Sequence, residues 1–395
     1  MMRRCFSISP DCIIVGAGLA GSVIARFAAE ELQLKVLVIE KKEHIGGHMY
    51  DEKDVTGVLI HRYGPHIFHT NKQELVTYIN RFAHWRKFNC TCMAQIDGVF
   101  TPTPFNFHTI DYFYPFSQAE ELKRRMLEQY SSRHEVSVLE LMNSDDPQIK
   151  AYASFLFEKD YQPYTAKQWG LSPESISPQV LARVPIRLSY ETSCFLDTYQ
   201  LLPEEGYTSF FQSILNHPNI SVQLNTNALD LLDIDLERNE VLFEGIAVTM
   251  PVVYTGMPDA LLHNRFGKLP YRSLRFVWEN PQCSSYQPAA VVAYPQHPDY
   301  IRITEYTKFS SVPSRDVTVI AKEYSLPATE ESNQEPYYPI ITPENLLSVD
   351  RYKAALSQIP SLFLCGRLAE YRYYNMDETL EAALNTCSML EKFLG

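Results

Sequence analysis

Three features make this sequence an α/β protein. It opens on a strand ("CIIV"), a glycine turn ("GAGLAG"), a helix ("SVIARFAAEELQ") and a second strand ("KVLVIE"), the pattern of a βαβ unit. Helical periodicity dominates from about residue 109 to residue 184. Short strands divided by turn residues then take over, until a last strand ("SLFLCGR") and helix ("DETLEAALNTCSMLEKFL") return to the opening pattern. That return predicts a first domain that is discontinuous in sequence.

The chain has 395 residues, enough for two or three packed units, because single cores stop growing at roughly 250–300 residues. Its 45% hydrophobic and 21% charged residues are those of an ordinary globular protein, not a disordered one. The apolar uncharged run at residues 12–25 spans 14 residues and holds three glycines, too short and too interrupted to cross a bilayer. The first ten residues are basic but lack the apolar stretch of a secretory signal, so a cytoplasmic protein is expected. A formal charge of −12 argues against nucleic acid or an anionic membrane as partner, since either needs a basic face. The eight cysteines are scattered without a C-x-x-C, which predicts neither a disulfide framework nor a zinc knuckle.

In the helical stretch, "SQAEELKRRMLEQY" is amphipathic, and Asp146-Pro147 reads as N-cap and first-turn proline. Ser177-Pro178 repeats that signal before "QVLARV". The strand patterns that follow are "SVQLN", "VVYTG", "SLRFVW", "AAVVAYP", "YIRITEY" and "VTVIAKEYS", spaced as in antiparallel sheet.

Gly16, Gly18 and Gly21 form G-x-G-x-x-G between the first strand and helix, and Glu40 closes the second strand 24 residues after Gly16. Such glycines allow a tight turn and close approach of a pyrophosphate to backbone N–H groups, while the carboxylate holds a ribose hydroxyl. This predicts a Rossmann-like dinucleotide-binding domain. Gly46 and Gly47, just beyond Lys41, let a second backbone segment approach the cofactor, which an extended FAD needs more than a nicotinamide dinucleotide does. No second fingerprint occurs, so FAD is expected and NAD(P)H is given no dedicated site.

Three arginines lie in apolar or aromatic settings: Arg187 in "VPIRLSY", Arg302 in "YIRITEY" and Arg367 in "LCGRLAEYRYY". Guanidinium forks match diphosphate oxygens, although a buried carboxylate pair would explain each one equally well. Tyrosine is abundant, 25 against 3 tryptophans, and clusters such as "DYQPYTAKQW" can stack on a base or simply pack a core. His66 and His69 in "YGPHIFHT" leave three readings open: metal ligands, an acid/base pair, or the wall of a flavin pocket. No nearby carboxylate supports a metal.

These segments together resemble the bacterial UDP-galactopyranose mutase family. The likeness runs in order through "IIVGAGLAG", "IGGH", "HRYGPHIFHTN", "PYTAKQWG", "VPIR", "GYTSF", "YRSL", "RITEY", "AKEYS", "EPYYPI" and "CGRLAEYRYYNM". The resemblance implies an FAD-binding α/β domain (residues 1–85, 203–262 and 340–395), an inserted helical bundle (107–180) and a twisted antiparallel β-sheet substrate domain (86–106, 181–202 and 263–339). It implies interconversion of UDP-galactopyranose and UDP-galactofuranose by reduced FAD, whose N5 forms an adduct with the sugar as UDP leaves, with no net redox change. An external reductant, NAD(P)H or flavin, and by analogy a homodimer, come with it.

By the same resemblance Arg187, on a closing loop, and Arg302 hold the diphosphate, with Tyr199, Tyr324 and Tyr373. Tyr161 and Tyr164 meet uracil, Trp169 belongs to the cleft, and His66 lies nearest the sugar. Gly16, Gly18, Leu19, Ala20, Gly21, Glu40, Lys41, Gly46, Gly47, His48, His66, Ile67, Gly366, Arg367, Met376 and Asp377 would surround FAD. Two positions depart from the family pattern: Asn375, inside the cleft, where members usually carry Asp, and Cys90, where many carry Asn. They leave open a 6-deoxy or N-acetylated hexose nucleotide, an amine-oxidase type of flavin oxidoreductase, or a nucleotide-sugar binder without catalysis.

Overall fold

The computed structural model describes residues 9–170, 184–310, 316–328 and 334–395. The expected Ser177-Pro178 helix start and the end of the helical bundle lie outside the described residues, as does the segment leading to Arg187.

A five-stranded parallel sheet forms one layer, in the order Ile220–Gln223, Val36–Ile39, Cys12–Val15, Val252–Tyr254, Leu362–Leu364. Its central strands are apolar on both faces: Ile13, Ile14, Val36, Val38 and Val253 are wholly buried, as expected where helices cover a parallel sheet. The first helix (Leu19–Glu30) and the closing helix (Met376–Leu394) pack on each other over one face. Val349, Tyr352 and Leu356 of Pro343–Leu356 pack with the other face's Ile13, Val15 and Leu37.

A seven-stranded sheet forms the second unit, in the order Tyr338–Pro339, Tyr271–Glu279, Ile320–Pro327, Arg302–Glu305, Val291–Ala293, Cys92–Ile96, Val99–Thr103. The expected antiparallel pairing holds with one exception: Val291–Ala293 runs parallel to Cys92–Ile96. The two strands come from distant parts of the chain, so no hairpin dictates their direction.

The helical unit packs against the seven-stranded sheet, sharing one core with Ala94 and Ile96. In Phe116–Gln129, Ala119, Leu122 and Met126 are buried at the spacing of one helix face. Asp146 caps Pro147–Leu156, its Oδ1 accepting from the Gln148 N–H at 2.8 Å and the Ile149 N–H at 3.3 Å. That helix runs through a π-helical turn, Phe157–Tyr161, into Gln162–Trp169, which stops at Gly170 with φ +63. The helical stretch is not uniform: Glu135–Val136 is a strand that pairs antiparallel with Ile186–Arg187. Among the described residues no helix is long and apolar enough to cross a membrane.

Candidate functional site

The strand Cys12–Val15 ends at Gly16, whose φ of +100 and contact with Thr255 exclude a side chain: a Cβ there would lie 2.1 Å from Thr255 Oγ1. At Gly21 a Cβ would lie 1.9 Å from the Gly16 carbonyl oxygen. Gly18 caps the first helix without any side-chain hydrogen bond, so the first-turn N–H groups, from Leu19 and Ala20 onward, lack helical acceptors. Gly46 and Gly47 pack on this turn rather than apart from it. The Gly46 N–H donates to the Ala17 carbonyl at 2.8 Å, and a Cβ on Gly47 would come within 3.0 Å of Gly18 Cα.

Glu40 is 5% exposed and braces the turn, accepting from the Ala17 N–H at 2.8 Å and the Lys42 N–H at 2.9 Å. Each carboxylate oxygen accepts one of these and keeps a lone pair for a ribose hydroxyl. Two glycine segments in contact, an uncapped helix start and a buried carboxylate at the strand end fit the pyrophosphate and ribose of a dinucleotide. Gly366, with φ +102, closes on the same turn, where a Cβ would meet Ala20 Cβ at 3.5 Å.

Around this cradle, His48 stacks on Tyr337 with ring centroids 4.4 Å apart and lies 3.5 Å from Glu335, which also pairs with Lys41 at 3.3 Å and Lys42 at 3.1 Å. Burial works against the Glu335 charge, yet His48 and the two lysines hold its carboxyl well below the usual range. Arg367 donates to the Tyr374 carbonyl at 2.8 Å, and its guanidinium carbon is 5.4 Å from the Tyr373 ring centroid. Met376 and Asp377 form the first turn of the closing helix. Asn375 caps that helix, its N–H donating to Glu378 at 2.7 Å.

His66 and His69 part company. Nδ1–H of His66 donates to the Gly64 carbonyl at 2.8 Å, which leaves Nε2 as an acceptor. Its backbone is locked, the N–H donating to His61 Nδ1 at 3.0 Å and the carbonyl accepting from Tyr207 Oη at 3.1 Å. Burial, aided by His61, depresses the His66 pKa to about 3, so the ring is neutral at any ordinary pH. Ile67 is buried beside it. His69 instead pairs with Asp197 at 2.8 Å and stacks on Phe195 at 3.8 Å. No group of three or more His, Cys, Asp or Glu among the described residues is arranged to hold a metal.

Arg302 stands opposite Glu323 on neighbouring strands, its Nε donating to Oε2 at 2.6 Å. Glu323 is only 2% exposed. The two terminal nitrogens of Arg302 make no hydrogen bond to any described residue. Burial opposes the Arg302 charge, but the Glu323 carboxylate beside it outweighs that and raises its pKa. Phenols gather round this guanidinium. Burial raises the pKa of Tyr164, with Arg302 opposing, and the hydroxyl of Tyr338 is buried without any hydrogen-bond partner. Tyr338 meets Trp169 edge-on at 5.2 Å and Tyr373 at 5.7 Å, with Trp169 and Tyr373 6.0 Å apart. A Cβ on Gly64 would lie 3.7 Å from Glu323 Oε2, so the His66 loop abuts this cluster.

The remaining expected residues stand elsewhere. Arg187 is 3% exposed and spends its donors on Glu135 (3.0 Å) and the carbonyls of Ser193 and Cys194 (3.3 Å for Cys194). Tyr161 is core, packed by Phe105 and donating to the Val184 carbonyl at 2.6 Å. Tyr199 donates to Gln73. Tyr324 follows Glu323 in a strand and so faces the opposite side, against Arg275 (4.2 Å to the ring centroid) and Tyr300. Sequence reasoning missed Tyr338, Glu323 and Glu335. The signal for Tyr338 was the pair of tyrosines in "EPYYPI", which only the pairing of Tyr338 with Arg272 brings to Trp169.

Comparison with known proteins yields two family matches: UDP-galactopyranose mutase over residues 159–373, and an NAD(P)-binding Rossmann-like domain over residues 14–82. A UDP-galactopyranose mutase of Mycoplasma pneumoniae is 33% identical over 386 residues, 96% of each chain. A dTDP-fucopyranose mutase of Escherichia coli is 30% identical over 380 residues, 96% of this chain and 97% of the relative. A crystal structure of reduced UDP-galactopyranose mutase superposes with a TM-score of 0.74 at 16% identity, over 98% of this chain and 94% of the other, a likeness of fold.

Proposed function

The chain belongs to the UDP-galactopyranose mutase family, and from that premise we propose that it interconverts the pyranose and furanose forms of UDP-galactose, with reduced FAD as coenzyme and no net redox change. One observation carries the reading: a guanidinium with both terminal nitrogens unspent, anchored by a buried carboxylate, beside a buried tyrosyl hydroxyl without a partner. The buried Tyr338 hydroxyl left unmatched costs about 1–3 kcal/mol, a cost that an anionic ligand would repay.

The glycine turn, with Glu40 and the backbone of Gly46 and Gly47, would hold FAD, and Lys41, His48, Gly366, Arg367, Met376 and Asp377 would surround it. The chemistry a bound reduced flavin supplies is a nucleophilic N5 for the anomeric carbon. When UDP departs, negative charge collects on its β-phosphate. Arg302 and the hydroxyls of Tyr338, Tyr373 and Tyr164 are preorganised donors for that charge, so they stabilise departure more than they stabilise bound substrate. Neutral His66 offers Nε2 as an acceptor to a sugar hydroxyl. It cannot serve as a general acid with so low a pKa. Arg187 would exchange its carbonyl acceptors for phosphate when its segment moves, closing water out of the cleft. Tyr199, Tyr161 and Asn375 would serve from farther away, through position rather than contact with phosphate.

A second reading is a mutase for a 6-deoxyhexose nucleotide, favoured by Asn375 and by the similarity to a dTDP-fucopyranose mutase. Dithionite-reduced protein incubated with UDP-galactofuranose should yield UDP-galactopyranose, and the oxidised protein should not. Faster conversion of dTDP-fucofuranose would favour the second reading. Net oxidation of substrate, or nucleotide binding without conversion of either sugar nucleotide, would refute both. A cytoplasmic homodimer served by an external reductant accompanies this proposal.

A further inference from the structure

Cysteines that the sequence scatters converge in space. An isolated antiparallel bridge pairs Thr91 with Ser193, and the Cys194 N–H donates to the Cys90 carbonyl at 2.8 Å. The three flanking thiols therefore share one face: Cys92 Sγ lies 3.0 Å from Cys194 Sγ and 3.8 Å from Cys90 Sγ. Cys90 is buried, while Cys92 and Cys194 are half-buried. The carbonyls of Ser193 and Cys194 are also the acceptors that hold the Arg187 guanidinium.

We propose that Cys90, Cys92 and Cys194 form a hydroperoxide-reactive thiol site in which Cys194 is oxidised and Cys92 closes on it as a disulfide, fixing the backbone anchor of Arg187 to the large sheet. Hydrogen bonds from the Cys90 and Cys92 thiols, with help from Arg187, hold the Cys194 thiol well below its usual pKa, which makes it the thiolate of the set. That thiolate attacks one peroxide oxygen, the O–O bond breaks, and Cys194 becomes a sulfenic acid with release of water after protonation. Cys92 then displaces the sulfenic oxygen as a second water, forming the S–S bond. Two thiols lose two electrons and one peroxide gains them. The sulfurs need to close by only about 1 Å to reach the bond length of about 2.0 Å. Bonding at this point would hold the 193–194 carbonyls in place. On the function proposed above, it would keep Arg187 from reaching a diphosphate.

The test treats the flavin-loaded enzyme with equimolar hydrogen peroxide, alkylates free thiols and maps peptides without reduction. A Cys92–Cys194 linkage should form at least tenfold faster than half-buried Cys283 is modified, and Cys194→Ser should abolish it. UDP affinity should fall at least fivefold on oxidation and recover with dithiothreitol. A Cys90–Cys194 linkage, or reactivity no greater than that of Cys283, overturns the site. Linkage without any change in UDP affinity overturns the control of Arg187. If reduced enzyme does not bind UDP at all, the functional reading fails while the peptide map still decides the thiol chemistry.

Discussion

Arg302 is the residue on which binding and stability separate most cleanly. Replacing it by Gln removes the ion pair and leaves Glu323, 2% exposed, as a buried unpaired carboxylate. Breaking a buried pair from one side costs about 3–5 kcal/mol, so Arg302→Gln should unfold at markedly lower denaturant. Adding Glu323→Gln removes the stranded charge. The double variant should recover to within about 1–2 kcal/mol of the wild type, because two amides of similar shape can hydrogen-bond across the same strand pair. Turnover should not recover. Two charge-assisted hydrogen bonds to a leaving diphosphate, at about 1.5–3 kcal/mol each, amount to about 3–6 kcal/mol, or a loss of roughly 10² to 10⁴-fold. Denaturant melts give the first quantity, and chromatographic assay of UDP-galactofuranose conversion under dithionite gives the second, with flavin absorbance confirming that cofactor is retained. A double variant within tenfold of wild-type turnover would make Arg302 a structural residue and remove the core of the functional proposal.

Tyr338→Phe deletes a hydroxyl that has no partner among the described residues, so stability should hold or rise while UDP binding weakens about 2- to 10-fold, measurable by titration calorimetry; a loss of stability with unchanged affinity would contradict the assignment. Gly21→Ala would drive a methyl into the Gly16 carbonyl, and the purified protein should be colourless or insoluble; a yellow variant would show that the turn can open. His61 and His66, both depressed to about 3, bind a proton in the unfolded chain below pH 6.5 but not in the native one, so stability must fall as pH drops from about 6.5 toward 3. By pH 5 each contributes about 2 kcal/mol of loss, and His61→Asn, which keeps an acceptor for the His66 N–H, should flatten the pH dependence of denaturant melts.

The dinucleotide half was legible because its signals are local. Gly16, Gly18 and Gly21 are spaced by the geometry of one turn, and Glu40 follows at the end of the next strand, so a single βαβ unit carries the whole inference. Asp146 was legible for the same reason, as a cap is set by its immediate neighbours. The substrate half depends on strand partners far apart in sequence. Glu323 matters because it stands opposite Arg302, and Tyr338 because it stands opposite Arg272. Neither register is written in the residues themselves. Tyr324 illustrates the cost: a one-residue step along a strand turns a side chain to the other face. Arg187 is legible as a buried guanidinium, but its acceptors, Glu135 and two backbone carbonyls, come from separate stretches of chain.

The parallel sheet carries a consequence for synthesis. Its middle strand, Cys12–Val15, leaves the ribosome first, while its edge strand, Leu362–Leu364, and the helix that covers Leu19–Glu30 leave last. Until the chain has emerged past residue 366 the glycine turn lacks Gly366 as a neighbour, and until it has emerged past residue 394 the first helix lacks its full cover. A nascent chain arrested before Leu362 would thus hold no coenzyme, and its bare apolar strands would be a natural target for chaperones.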